Sequence, residues 1–369
     1  MTGEVPLLDD HAHPFPRGAD VLDLSALSLS VEASAAPRRR HAAPSRLMLE
    51  RLRCELAALL GCAPAEVEAA RAQAAANWPD WVQQLFRDAG IGGMLLDGGT
   101  APVPADDLPE YEKLAGVPMG ALLRLETVID PLLEQGADPP AVVAAVADFV
   151  SSGAANGAAG LKTVLAYRTG LSVDPAVTQA AAYRSIDASV PVRRRAKPLR
   201  DYILRQTFAQ CADLDLPIQI HTGFGDSEIR LADAHPVLLD DVLRTPEGAA
   251  AKVVLIHAGY PWHEELAYLA LVRANLWAEL SLVNLFSPVT AGDRLLRMLD
   301  IAPADRIMLG TDGHGSPETH WFAAKALRAA WAQARHRLAG SARDSWLADT
   351  ERLLFHENAA QLYPGEWLG

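Results

Sequence analysis

Short apolar runs alternate along this chain with longer stretches in which alanine and leucine recur in amphipathic order. Eight of the runs, rich in Val, Ile and Leu, read as strands at residues 5–10, 92–97, 121–127, 160–166, 217–222, 252–257, 276–280 and 306–311. Continuous apolar strands separated by helices imply a parallel sheet whose faces are covered. Eight such units predict an α/β fold, a (β/α)8 TIM-like barrel with its interior filled by side chains. An open doubly wound sheet is the alternative. It commonly carries a glycine-rich first turn, and neither GxGxxG nor GxxxxGK(S/T) occurs here.

Two stretches exceed what a barrel needs. Residues 31–89 form a helical insertion after the first strand, and residues 173–215 a second insertion after the fourth. Barrel function resides on the loops at the strand C-termini, so both could cover the mouth as a lid. They could equally be outer packing helices or a contact in a homo-oligomer. The triple-arginine runs at residues 38–40 and 193–195 read as solvated helix faces.

Composition narrows the partners. The 369 residues are 50% hydrophobic and 21% charged, which excludes wholesale disorder. Lys+Arg of 33 against Asp+Glu of 46 leaves a net charge of −13, which argues against nucleic acid or an anionic membrane as partner. Three cysteines without a CxxC spacing make a disulfide framework or a cysteine-bound metal unexpected and a reducing compartment the default. The start of the chain does not read as a secretory signal and no long apolar run suggests a membrane span, so a cytoplasmic location is expected.

Potential metal ligands fall where strands end. His11 and His13 follow the first strand in DDHAHP, His221 closes the fifth in PIQIHTG, His257 the sixth in VVLIHAG and Asp312 the eighth in RIMLGTDG. Residues two apart on a strand face one side, so His11 and His13 can both point into the mouth. A lone histidine at a strand end is usually structural. Five such positions in barrel order, however, would bury imidazoles and a carboxylate at a desolvation cost that a divalent cation offsets. Neutral imidazole plus carboxylate suits Zn²⁺ first, with Mn²⁺ or Fe²⁺ as alternatives, one or two per chain.

These ligand positions resemble those of the amidohydrolase superfamily of metal-dependent barrels. The stretches AAGLKTVLAYRTGL, LPIQIHTGFGD, VVLIHAGYPWHEELAYLA and IMLGTDGHGSPE resemble its amidohydrolase-related family (amidohydrolase 2). They are most similar to the amidohydrolase domain that fluG-type and nodulin-like proteins fuse to a glutamine synthetase domain. The resemblance implies a single metal-dependent hydrolase barrel over residues 1–369, with no synthetase domain expected to follow. It implies that His11, His13 and His221 bind metal and that Asp312 both binds metal and handles protons. His257 would then be a ligand to a second metal or a neutral polariser of the scissile carbonyl. Lys162, in the fourth strand, matches a position where some members bridge two metals through a carboxylated lysine. It could equally pair with Glu126 or hold a substrate carboxylate.

Substrate recognition falls to residues beside these ligands. Arg124 and Glu126 end the third strand in LLRLET, Tyr167 and Arg168 follow the fourth, and His314 follows Asp312. An arginine at the rim can grip a carboxylate through two parallel hydrogen bonds, which hints at a small acidic or amino-acid-like substrate. Arg124 and Glu126 could instead pair with each other. Together with the family association, this points to hydrolysis of a C–N amide bond by metal-activated water, with a γ-glutamyl amide as the specific substrate. The alternatives are a metal-dependent decarboxylase or lactonase and, from another class, a metal-bound binding or regulatory protein without turnover.

Overall fold

The computed structural model describes residues 5–363 and 365, apart from 20, 25, 26, 28, 30–44, 105, 106, 187 and 188. Eight strands run in sequence order as one parallel sheet. They are β1 (Leu7–Ala12), β2 (Ile91–Asp97), β3 (Met119–Arg124), β4 (Gly160–Thr163), β5 (Ile218–His221), β6 (Val253–Ile256), β7 (Leu276–Leu280) and β8 (Ile307–Leu309). Helices lie between them, giving a nearly closed (β/α)8 barrel.

The expected strands are all found, with shifted ends. The third stops at Arg124 because Glu126 already opens helix Glu126–Glu134. The fourth stops at Thr163, where a tight turn forms and the Tyr167 amide donates to the Val164 carbonyl (2.8 Å). The first runs on to Ala12 through an irregularity: Asp9 pairs with Met94 and Ala12 with Leu96, so one extra residue enters β1. Such a bulge re-aims side chains. Here consecutive residues Asp10 and His11 are both buried. The Asp10 carboxylate accepts from the Tyr363 hydroxyl (3.3 Å), while His11 Nε2 lies 3.4 Å from Lys162 Nζ.

The barrel seam is joined by the chain just past β8. The Asp312 amide donates to the His11 carbonyl (2.8 Å) and the His13 amide to the Gly313 carbonyl (2.9 Å). The Thr311 amide donates to Asp9 Oδ1 (2.8 Å), and its hydroxyl donates to Asp9 Oδ2. At the other end Leu8, Leu95, Leu122, Val254 and Met308 pack with Tyr363 into an apolar floor. Helix Asn358–Leu362 delivers Tyr363 there, and the Asn358 amide side chain donates to the Ala304 and Ile307 carbonyls (both 2.8 Å).

Within the first insertion the described residues form helices Leu47–Leu60, Val67–Ala74 and Trp78–Ala89. In the last of these Trp78, Trp81, Val82, Leu85, Phe86 and Ala89 are buried along one stripe at helical spacing. Gly90 ends the helix at φ 66°, a left-handed conformation that suits glycine. The insertion packs on the outer wall: Arg71 Nε (2.7 Å) and Trp81 Nε1 (2.8 Å) both donate to Glu318 Oε1 on helix Pro317–Leu338.

After β4 come helix Gln179–Tyr183, a turn over Val192–Arg194 and helix Lys197–Asp213. The arginine run at 193–195 is therefore a turn rather than a helix face. Arg193 pairs with Glu228, Arg194 Nη1 donates to the Arg168 carbonyl (2.7 Å) and Arg195 Nε donates to the Val190 carbonyl (3.0 Å). The run at 38–40 lies outside the described residues. No helix among the described residues is long and apolar enough to cross a membrane.

Candidate metal centre

His11 and Asp312 face each other across the seam, held by the backbone bonds described above. Asp312 Oδ1 lies 3.2 Å from His11 Nε2 and 3.2 Å from His13 Nε2. The ring of His257 is 5.3 Å from that of His11, and the donor atoms of His11, His257 and Asp312 lie within 4.8 Å of one another. His221 stands one ring further out, 4.4 Å from His257 between centroids, with Tyr167 against it at 4.6 Å. His257 (φ 68°) and Asp312 (φ 50°) both adopt left-handed backbone that non-glycine residues rarely take. Such strain concentrates at functional sites.

Hydrogen bonds fix which imidazole nitrogens are free. A carbonyl only accepts, so His13 Nδ1 must donate to the Asp97 carbonyl (2.7 Å), and a neutral His13 turns a lone pair on Nε2 toward Asp312. By the same rule His221 Nε2 donates to the Phe224 carbonyl (3.2 Å), which leaves its Nδ1 lone pair free. Burial, reinforced by the Lys162 charge, pushes His11 down to about 4. Burial also pushes His221 and His257 well below the ordinary imidazole range. Burial lowers His13 as well, but contact with Asp312 outweighs it and raises this ring. Burial raises the Asp312 carboxyl, yet the surrounding imidazoles hold it well below the usual carboxylate range. Neutral His11, His221 and His257 beside an ionised Asp312 are in the states a metal requires, while His13 leans toward its protonated form until a cation displaces that proton.

The donor set fits a divalent cation. His11 Nδ1 and Asp312 Oδ1 are buried without a hydrogen-bond partner. His11 Nε2 and His13 Nε2 both converge on that one Asp312 oxygen at 3.2 Å, an arrangement that a shared cation would satisfy.

The opposite wall carries charge. Arg124 grips Asp97 through Nε (3.0 Å) and Nη2 (2.6 Å), two parallel bonds that hold both side chains rigid. Arg168 Nε donates to Asp130 (2.8 Å), which also accepts from Arg200 (2.7 Å). Lys162 is buried, and burial lowers its ammonium to about 8. The cleft enclosed by the two walls has a volume of about 530 Å³.

Among the residues expected from sequence, His11, His13, His221, His257, Asp312, Lys162, Arg124, Tyr167, Arg168 and His314 all line this cleft. Glu126 does not. Its carboxylate accepts from the Thr163 hydroxyl (2.7 Å) and the Val164 amide (3.0 Å), so it closes the end of β4. Nor does Arg124 pair with Glu126, because Asp97 occupies its guanidinium. The Tyr167 hydroxyl accepts from the Asp226 amide (3.0 Å), and His314 Nδ1 donates to the Asp312 carbonyl (2.8 Å).

Three residues beside the site were not anticipated: Asp97, Glu279 and Ser281. Asp97 carries the same signature as the others, an apolar run followed by glycine in GMLLDGG, and could have been found by it. Glu279 and Ser281, in WAELS at the end of β7, have no following glycine and offered no such signal.

The fold matches known proteins. A presumed metal-dependent hydrolase from Lactobacillus casei superposes with a TM-score of 0.85 at 27% identity, covering 97% of this chain and 95% of that one. A uronate isomerase from Thermotoga maritima shares the fold at a TM-score of 0.69 and 11% identity, over 98% of this chain and 95% of that one. The protein fluG of Emericella nidulans is 30% identical over 255 residues, which is 65% of this chain and 26% of fluG. The chain thus spans about a quarter of the length of that relative. The sequence profile of the Amidohydrolase family matches residues 131–365, a span that takes in Lys162, His221, His257 and Asp312, and the chain belongs to that family.

Proposed function

We propose that this protein is a metal-dependent hydrolase that cleaves a C–N amide bond in a small carboxylate-bearing substrate, with a γ-glutamyl amide as the specific candidate. The observation that carries the proposal is the pairing of two walls in one cleft: imidazoles around Asp312 on one side, and Arg124, Lys162 and Arg168 on the other. His11, His13 and Asp312 would hold a divalent cation, with His221 and His257 alongside. Such a cation supplies Lewis-acid polarisation of a carbonyl and lowers the pKa of water from ~15.7 to about 7.

The chain's own residues divide the remaining work. Asp312, kept ionised, stands to accept a proton from the attacking water and to pass it to the departing nitrogen. Arg168, held by Asp130 through Nε, can turn its remaining N–H groups to a substrate carboxylate. Tyr167, fixed by the Asp226 amide and the His221 ring, closes one side of the cleft against solvent.

The test is a substrate panel assayed in parallel with Zn²⁺, Mn²⁺ and Fe²⁺. It comprises γ-glutamyl amides, N-acyl amino acids, lactones and aromatic carboxylates. Release of glutamate and amine supports the reading. Turnover of lactones alone, or CO₂ release from aromatic acids, replaces it with a lactonase or decarboxylase. Metal bound without turnover of any compound favours a binding role.

A further inference from the structure

Glu279 closes a chain of hydrogen bonds that ends on His257. Its Oε2 accepts from the backbone amide of His257 (3.0 Å) and from the Ser281 hydroxyl (2.7 Å), and Ser281 Oγ lies 2.7 Å from His257 Nδ1. All three side chains are buried, so no solvent competes for these bonds. The proton positions follow from counting. Burial and the nearby Asp10 carboxylate hold Glu279 well above the ordinary carboxylate range, but a backbone N–H, which can only donate, already points at Oε2, so a carboxyl proton belongs on the unpartnered Oε1 and Oε2 stays an acceptor. Ser281 has one hydroxyl proton and gives it to that same oxygen, which leaves Ser281 Oγ able only to accept from the ring. His257 therefore carries its proton on Nδ1, and its lone pair lies on Nε2.

The backbone reinforces this arrangement. His257 sits at φ 68°, and Leu282, next to Ser281, sits at φ 43° and ψ −58° with the Val283 amide folded back onto the Ser281 carbonyl. That is a strained three-residue turn, and it fixes where Ser281 presents its hydroxyl.

We propose that Glu279 and Ser281 are positioning residues: they lock His257 with its proton on Nδ1, so that Nε2 meets a cation shared with His11 and Asp312 as a lone-pair donor rather than meeting a substrate carbonyl as an N–H. The proposal rests on the metal-centre reading above and settles which of two roles His257 takes within it. Neither residue touches substrate. Both act through the imidazole, as a partner to the far nitrogen of a metal-bound histidine generally does.

Three measurements test it, two of them without substrate. In metal-free wild-type protein, ¹⁵N chemical shifts of His257 are expected to report a protonated Nδ1. Co²⁺ titration, followed by visible absorption, is expected to show Ser281→Ala binding about tenfold or more weakly than wild type, with an unchanged thermal melt. Ser281→Thr, which keeps the hydroxyl, should recover most of that affinity. With saturating metal, Ser281→Ala should lower kcat while leaving KM near wild type. A His257 protonated on Nε2, or a Ser281→Ala protein that binds Co²⁺ as tightly as wild type, overturns the proposal. Weakened Co²⁺ binding in a protein that hydrolyses no amide upholds the positioning role while sinking the amidase reading.

Discussion

The two walls of the cleft handle burial in opposite ways. On the wall formed by β1, β5, β6 and the segment after β8, burial strips charge: His11, His221 and His257 are driven toward the neutral form. On the wall formed by β2, β3 and β4, two arginines keep their charge beside a counter-charge, Arg124 with Asp97 and Arg168 with Asp130, while burial lowers the Lys162 ammonium to about 8. A desolvated group must lose its charge or find a counter-charge, and this site does each on a different side. The neutral wall is thereby suited to a cation and the paired wall to an anion. A substrate bearing both a polarisable carbonyl and a carboxylate can span the two.

The largest expected effect breaks the neutral wall outright. Removing metal by dialysis against a chelator should abolish turnover, and added Zn²⁺ should restore it. Full activity at under ~0.2 metal per chain would contradict the mechanism. Asp312→Asn comes next. It should leave the circular-dichroism spectrum unchanged while turnover falls by at least ~10²-fold, the scale of a positioned acid/base. Near-normal turnover would make Asp312 structural.

The paired wall is tested through stability. Asp97→Ala leaves Arg124 without its counter-charge and should cost about 3 kcal/mol in urea denaturation. The figure is at the low end of the usual range because the Arg124 side chain keeps 17% exposure. A loss under about 1 kcal/mol would mean that solvent already screens the pair. Arg168→Ala should have the smallest effect. KM for acidic substrates should rise about tenfold at constant kcat, with neutral analogues unaffected. Equal shifts for both kinds of substrate would remove the carboxylate-binding role.

The same contrast explains what could be read from sequence. The barrel was legible because buried parallel strands must be apolar along their whole length, and eight such runs stood out. The histidines and Asp312 were legible because each interrupts that pattern at a strand end. The partners that neutralise charge were harder to see. The Asp97 and Asp130 carboxylates pair with arginines that lie 27 and 38 residues away in sequence. Nothing in the spacing told Arg124 to choose Asp97 over the nearby Glu126. Strict alternation along β1 also could not foresee the extra residue that buries Asp10 and His11 side by side. Tyr363 arrives in the barrel floor from beyond the last long helices, a placement that no local pattern encodes.

The seam between Asp9 and Thr311 joins residues 302 positions apart. His11 and Asp312 therefore become neighbours only once the chain has been synthesised past β8 and curled into a ring. A nascent chain released before β8 can hold native-like strands and still lack Asp312. Catalytic competence should consequently appear late and all at once during synthesis on the ribosome, and a cut anywhere that lets the ring spring open should silence the site without touching a single ligand.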